Sequence, residues 1–205
     1  MGKSYNQISQ TLNISKGTIS YYLANNRASK KIRNQLIKKN NALSKKRVQK
    51  LVSQNRKRWA KNKINAVMEA KNDFKELYKN PLFTTGISIY WGEGDSKPDN
   101  PLRISNTDPR MIKIYVRFLR EIMGVERDKI RLGLILYPDL DNKICQEFWS
   151  KASNLPKENF IKTQYIKGSH PTKRLASGIC MVIANGGNPL KIKMLTWIDL
   201  LSRNL

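Results

Sequence analysis

The chain has 205 residues and a formal net charge of +24, because 39 Lys and Arg residues stand against 15 Asp and Glu residues. This length allows one good-sized domain with a smaller one beside it. The charge excludes an ordinary metabolic enzyme acting on small neutral substrates. It indicates a polyanionic partner, for which nucleic acid is the default.

The sequence carries no signal for export or for membrane insertion. It has no run of about 18 apolar residues, and its N-terminus lacks the apolar stretch of a signal peptide. Cys145 and Cys180 lie among apolar residues, so we expect two reduced thiols in the core of a cytoplasmic protein without membrane contact. One histidine and two cysteines exclude a zinc finger.

The positive charge is concentrated in the first part of the chain. Residues 1–80 hold 20 Lys and Arg residues against three Asp and Glu residues, and residues 1–68 hold no acid at all. Such a segment repels itself and is expected to lie against phosphates. Between Gly17 and Pro81 there is neither glycine nor proline, which favours helix. We therefore predict that residues 28–80 form a basic linker of two or three helices, the middle one ordered chiefly when bound; a flexible tether is the alternative.

The first 27 residues have the pattern of two short helices joined by a tight turn. Ser4 and Gln7 form a capping box, Asn13 suits a turn that needs positive φ, and Ser15 suits the N-cap of the second helix. The residues expected to pack inside are apolar and spaced along one side of the second helix and its turn: Ile14, Ile19, Tyr22 and Leu23.

This pattern resembles the bacterial helix-turn-helix family. The resemblance implies that the second helix reads the major groove of DNA. The residues expected to face DNA on and beside this helix are short polar or basic ones with one tyrosine: Ser15, Lys16, Thr18, Ser20 and Tyr21. Lys30, Lys31 and Arg33 follow it and are expected to contact phosphates without sequence preference.

From residue 81 onwards the sequence predicts a mixed α/β domain, so the chain as a whole is expected to be α+β. In residues 129–137 every second residue from Ile130 to Leu136 is apolar, and Lys129, Arg131, Gly133, Ile135 and Tyr137 form the other face, which is typical of a strand. Asp108 and Pro109 mark the start of a helix. The other expected elements are a helix at 81–94, a strand around Leu102 and Ile104, a helix at 141–153 with Phe148 and Trp149 buried, strands at 160–167 and 177–184, and a final helix from Pro189.

Residues 86–94 read Gly-Ile-Ser-Ile-Tyr-Trp-Gly-Glu-Gly. The small residues Ser88 and Gly92 lie four apart on one helical face, and Glu93 follows at the helix end. This segment resembles the nine-residue helix of LAGLIDADG homing endonucleases. Together with Ser-Asn-Thr-Asp-Pro at 105–109 it also resembles small bacterial and phage proteins that join a helix-turn-helix to such a domain. The resemblance implies a LAGLIDADG-like domain over 81–205 and a homodimer through Ser88 and Gly92.

The same resemblance implies a catalytic metal, expected to be Mg²⁺, bound by Glu93 at the centre of the dimer. Asp95 and Lys97 complete the candidate catalytic set, although Asp95 also suits a turn. The basic residues expected to lie on the duplex come from predicted strands and from one loop: Arg103, Lys129, Arg131, Lys173 and Arg174.

Three functions fit these features. The first is a metal-dependent endonuclease that binds double-stranded DNA as a homodimer, which Glu93 favours. The second is a non-catalytic transcriptional regulator that uses the LAGLIDADG-like fold to dimerise and grip DNA. The third is an RNA-binding protein, which the helix-turn-helix weakens because the deep major groove of RNA does not admit a recognition helix.

Overall fold

The computed structural model describes residues 2–167 and 175–204 of the protein. The chain divides into two compact units, Met1–Ala60 and Lys61–Leu205. Among the described residues, no helix is both long enough and apolar enough to cross a membrane.

The first unit contains two short helices and the start of a long one. Helix α1 spans Tyr5–Leu12 and helix α2 spans Lys16–Leu23. The capping box of Ser4 is present, and Asn13 adopts the expected left-handed conformation with φ of 51°. Ser15 caps α2 through its hydroxyl, which accepts a hydrogen bond from the Thr18 amide. The local signals for these helix boundaries are therefore confirmed.

Helix α3 is a single helix over Arg27–Leu77, so the expectation of two or three helices is wrong. Its last turns belong to the second unit, where Ala66, Ala70 and Phe74 are buried. The Trp197 indole N–H donates to the Ala70 carbonyl at 3.0 Å. This packing explains why the second unit begins at Lys61, about twenty residues before the boundary at 81 predicted from composition.

The second unit continues with alternating helices and strands. The helices are α4 at Pro81–Glu93, α5 at Pro109–Glu121, α6 at Asn142–Ser153 and α7 at Gly187–Asn204. The strands are β1 at Leu102–Asn106, β2 at Ile130–Leu136, β3 at Gln164–Tyr165 and β4 at Ile179–Ala184. Short 3-10 turns at Arg127–Lys129 and Lys157–Asn159 precede β2 and β3.

The described strands form one mixed sheet in the order β1-β4-β2-β3. Strand β4 pairs antiparallel with β1 and β2, whereas β3 pairs parallel with β2. The α+β class is confirmed. Only Gln164 and Tyr165 of the expected strand 160–167 form a strand, with an isolated bridge between Phe160 and Leu132.

One face of the sheet is covered by helices, and the core lies there. The alternating residues of β2 that were expected to share a face, from Ile130 to Leu136, are all buried. Helix α5 buries Ile112, Tyr115 and Phe118 against this core. Asp108 and Pro109 begin α5 as predicted. The period-2 and capping signals therefore identify the elements that form the core.

Three apolar side chains differ from their predicted burial. Ile14 is 41% exposed, Tyr22 is 76% exposed and Phe148 is 40% exposed, whereas all three were expected inside. Trp149, the neighbour of Phe148, is fully buried, and its indole N–H donates to the Ser177 carbonyl. In α2 and α6 one apolar position packs and the adjacent one does not, because adjacent residues lie about 100° apart around the axis. Ile14 lies in the turn between α1 and α2.

Candidate nucleic-acid interface

Helix α2 presents one buried side and one exposed side. Ile19 is buried and Leu23 is half-buried, so this side of α2 packs inside the first unit. Thr18 is exposed, and Tyr21 is exposed by 82%. The rings of Tyr21 and Tyr22 meet edge to face, with centroids 5.5 Å apart. The outer surface of α2 thus carries hydroxyl groups and aromatic edges.

The structure divides the residues of α2 predicted to face DNA into two groups. Thr18 and Tyr21 lie on the side of α2 opposite Ile19, and Lys16 and Ser20 are also exposed but lie at the edge of an open cavity of about 600 Å³ with Arg33. Ser15 is exposed, but its hydroxyl is engaged at the N-cap and bonds Thr18 Oγ1 at 2.8 Å. All five residues of α2 and its N-cap that were predicted to face DNA are thus exposed.

The N-terminal half of α3 is a basic, exposed helix. Lys30, Lys31 and Arg33 are all exposed, as a phosphate contact requires. Every residue from 37 to 60 is exposed, and none is acidic. An exposed helix is normally supported by pairs of opposite charge three or four residues apart, and this segment has no acid to form them. It also exposes large apolar side chains: Ile37, Leu43, Val48, Leu51, Val52 and Trp59. Its surface is suited to a polyanion.

The second unit has a sheet face that the helices do not cover. Arg103 of β1 pairs with Ile183 of β4, and Ile183 pairs with Arg131 of β2. Because alternate side chains on a strand share a face, both arginines lie on the same side in one row across three strands. Arg103 is exposed, and the Arg131 guanidinium donates to the Glu158 carbonyl at 2.9 Å. Two predicted basic residues are thus brought together on this face.

The other predicted basic residues of this unit lie elsewhere. Lys129 lies in the 3-10 turn before β2 and forms an exposed ion pair with Glu126, which raises the pKa of its ammonium group. Lys173 and Arg174 lie outside the described residues.

The candidate acids lie at one rim of the uncovered face. Glu93 is the last residue of α4, and it lines a cavity of about 360 Å³ together with Asp95 and Arg103. Ser105 and Gln164 complete its polar lining. The Glu93 side chain is exposed and forms no hydrogen bond or ion pair within the described part of the chain. The site therefore combines an exposed carboxylate and an exposed guanidinium in the lining of one concave surface.

Asp95 holds the turn that follows α4. Its carboxylate accepts a hydrogen bond from the Lys97 amide at 2.8 Å and another from the Asn100 side chain. These bonds, the Lys97 amide foremost, lower the pKa of the Asp95 carboxyl. Lys97 enters this arrangement through its backbone, and its exposed side chain does not line the cavity. The geometry therefore supports Asp95 as a turn residue, the alternative that its sequence position also allowed.

The sequence analysis did not identify Lys191, a buried lysine whose ammonium group bonds this turn. Lys191 of α7 is 1% exposed, and its ammonium donates to the Tyr90 hydroxyl and to the Asp95 carbonyl. Tyr90 also donates its own hydroxyl proton to the Asp95 carbonyl, at 2.8 Å. Burial lowers the pKa of Lys191 and raises the pKa of Tyr90 to about 12. A lysine in a helix gives no sequence signal of burial, because lysine is ordinarily exposed.

The outer face of α4 is open. Ser88 and Gly92 are exposed, and a Cβ added at Gly92 would meet no atom of the described residues within 4 Å. Gly86 is different, because a Cβ there would overlap the ring of Phe118 on α5. The close approach within the chain thus occurs at Gly86, and the Ser88 and Gly92 face is left without a partner in the described chain.

The carboxylates at the rim provide some, but not all, of the ligands that the expected magnesium ion would need. Mg²⁺ prefers oxygen ligands and is commonly held by one or two carboxylates with water. Glu93 offers such an oxygen donor, but no group of three or more His, Cys, Asp or Glu residues comes together within residues 2–167 and 175–204. Within the described residues Glu93 is thus the exposed carboxylate that this cavity offers to such an ion.

Comparison with known proteins finds no family model, no curated protein and no solved structure that matches the sequence.

Proposed function

We propose that this protein binds double-stranded DNA and acts as a metal-dependent DNA endonuclease in the form of a homodimer. The DNA-binding part rests on the exposed, acid-free helix over residues 37–60 and on the basic residues that precede it. Residues 1–80 carry a net charge of +17. A surface of one sign on this scale is stabilised by phosphates, whose condensed counterions are released on binding.

The cleavage part rests on one observation, the exposed Glu93 carboxylate in a cavity that Arg103 also lines, at the rim of the uncovered sheet face. In a homodimer through the Ser88 and Gly92 face, two copies of Glu93 would lie near the two-fold axis. These carboxylates would hold Mg²⁺, which would supply activation of water and stabilisation of the leaving oxygen. Arg103 and Arg131 hold the phosphodiester backbone on the sheet.

A non-catalytic regulator is the second candidate. The Asp95 carboxylate favours this candidate because it already accepts hydrogen bonds from Lys97 and Asn100 within the turn and is therefore less available to bind a metal. Glu93 is then the one exposed carboxylate in the lining of this cavity as the structure describes it. A protein that uses the same fold for dimerisation alone needs no further acid.

The binding test measures affinity for duplex DNA between about 50 and 200 mM salt. Neutralising six to ten phosphates predicts a loss of about 10³-fold or more over this range. An affinity that barely changes would contradict charge-driven binding.

The cleavage test follows nicking of supercoiled plasmid with Mg²⁺ or Mn²⁺. Glu93→Gln keeps the size of the side chain and removes its charge, so nicking is lost while DNA affinity persists or rises slightly. Glu76→Gln is the matched control, because Glu76 is an exposed acid of α3 that does not line the cavity. DNA binding by the wild type without nicking under either metal would reject the endonuclease and leave the regulator.

A further inference from the structure

The large apolar side chains on the exposed α3 segment over residues 37–60 are gathered on one side of the helix. At 100° per residue, positions 37, 41, 44, 48, 51, 52, 55 and 59 fall within one sector of about 100°. This sector, the uncharged stripe, holds five of the six large apolar side chains that the segment exposes: Ile37, Val48, Leu51, Val52 and Trp59. Its other three members are small and neutral: Asn41, Ser44 and Asn55.

Every charged residue of this segment lies outside the uncharged stripe. Residues 37–60 hold nine Lys and Arg residues, and all of them fall on the remaining arc of the helix. Lys45 and Arg56 lie within about 40° of one edge of the stripe, and Arg47 and Arg58 lie within about 40° of the other. The stripe is therefore an apolar strip about 33 Å long with a basic border on both sides.

The uncharged stripe exposes apolar surface that no contact within the described chain removes from water. Its five large side chains are between 44% and 58% exposed. A contiguous apolar surface rimmed by charged groups marks an interaction site. Positions 48, 51, 52 and 55 follow the i, i+3, i+4, i+7 spacing by which one helix presents an apolar face to another. Because phosphates contact the lysines and arginines and leave apolar groups in water, this stripe needs a partner with an apolar face of its own.

The basic borders determine which partner fits. A second copy of this chain would bring two basic borders together in either orientation, and like charges at such positions oppose pairing. A helix that carries Asp and Glu beside its own apolar face would instead place opposite charges along both borders. We propose that the uncharged stripe docks an acidic amphipathic helix of another protein. This inference goes beyond the proposed function and does not rest on it.

The test uses the full-length chain and a synthetic acidic peptide of about four heptads, with Leu at positions a and d and Glu at positions e and g. Affinity is measured by fluorescence anisotropy of the labelled peptide at about 150 mM salt, without DNA. The control peptide has the same composition in a scrambled order that leaves no apolar face. It is expected to bind at least about tenfold more weakly, because it keeps the charge but cannot cover the stripe.

Leu51 and Leu43 provide a matched pair of substitutions on the same helix. Both side chains are exposed, but Leu51 lies in the uncharged stripe, whereas Leu43 lies about 80° beyond its edge among the basic residues. Leu51→Gln is expected to weaken binding of the acidic peptide by about tenfold, the scale of burying part of a leucine side chain. Leu43→Gln is expected to change it by less than about twofold. Since neither side chain is buried, both variants are expected to fold as the wild type does.

Trp59 reports directly whether the uncharged stripe is covered. Of the four tryptophans, Trp149 and Trp197 are buried, so Trp91→Phe leaves Trp59 as the exposed one. In this variant the acidic peptide, which contains no tryptophan, is expected to protect Trp59 from quenching by acrylamide. The scrambled peptide is expected to leave the quenching unchanged, because contact through charge alone does not cover the indole.

Four results would overturn the inference. Equal affinity for the two peptides, or no binding of either, would mean that the stripe is not recognised. Binding of the acidic peptide by Leu51→Gln as tightly as by the wild type would place the peptide on another surface. Self-association of the wild type that Leu51→Gln removes and Gly92→Leu leaves intact would make a second copy the occupant. Protection of Trp59 by duplex DNA but not by the acidic peptide would make DNA the occupant. Because the peptide measurements contain no DNA, their outcome is independent of the tests of DNA binding and cleavage.

Discussion

Replacing Gly92 by leucine tests whether the protein forms a homodimer through α4, because the substitution should weaken such a dimer but not a monomer. No atom of the described residues lies within 4 Å of a Cβ at this position, so a single chain accommodates the side chain. Loss of glycine favours the helix by about 0.5–1 kcal/mol. In a dimer packed through this face each leucine overfills the interface at a cost of about 1–3 kcal/mol. Two copies therefore raise the dimer Kd by about 30-fold or more.

Sedimentation equilibrium over a range of concentrations measures this change. Gly86→Ala is the matched control on the same helix, because its new Cβ would lie 2.8 Å from Phe118 Cβ and overlap the ring. It is expected to lower the free energy of unfolding by about 1–3 kcal/mol without acting on the dimer interface. A Gly92→Leu variant with the dimer Kd of the wild type would refute the assignment of the interface to this face.

Two further predictions concern the buried lysine beneath the rim. Lys191→Met removes the buried donor to the Tyr90 hydroxyl and one of the two donors to the Asp95 carbonyl, so urea denaturation is expected to show a loss of about 1–3 kcal/mol; Lys193→Met, which breaks a partly exposed ion pair, is expected to cost less than about 1 kcal/mol. Equal stability of the Lys191→Met variant and the wild type would contradict this role. Because burial raises the pKa of Tyr90 to about 12, the folded state holds this proton more tightly than the unfolded state, and stability is lost as pH rises through the range from 10 to 12. Comparing the wild type with Tyr90→Phe at pH 9 and 11 isolates this effect, and a fall of the same size in both would count against it.

Elements with strong local signals were predictable from sequence. The boundaries near Asn13, Ser15 and Asp108 were predictable because each of these residues satisfies a backbone requirement of its own helix end. Strand β2 was predictable because its period-2 pattern runs over seven residues with one face fully buried. These signals depend on neighbours within a few residues, and they hold whatever the rest of the chain does.

The start of the second unit was not predictable in this way. Ala66, Ala70 and Phe74 lie four residues apart, a stripe that two small side chains make inconspicuous. Its significance depends on Trp197, whose indole bonds the Ala70 carbonyl 127 positions earlier. Composition marks residue 81 as the boundary because the lysine-rich sequence ends there, but packing places the end of α3 in the core.

The candidate site was only partly predictable, because some of its contacts join residues far apart in the sequence. Glu93 was identified from the resemblance of residues 86–94 to a LAGLIDADG helix, and Arg103 and Arg131 from predicted strands; the structure places Glu93 and Arg103 in the lining of one cavity. The role of Lys191 depends on a carbonyl 96 positions earlier in the chain. The prediction that Tyr22 is buried was wrong, because an eight-residue helix has too few apolar positions to define its inner face.

The two units differ in how they are stabilised, and this bears on the function of the first. Among residues 2–60, Ile19 is the one apolar side chain that is buried, whereas the second unit buries an extensive core. The first unit therefore gains little from apolar burial, and its like charges oppose the compact state. Under the proposed function, phosphates that neutralise these charges also stabilise the helices, so folding of this unit and its binding of DNA are expected to be thermodynamically linked. A basic residue here is then expected to contribute to affinity both by its own phosphate contact and by the helical order that the contact maintains.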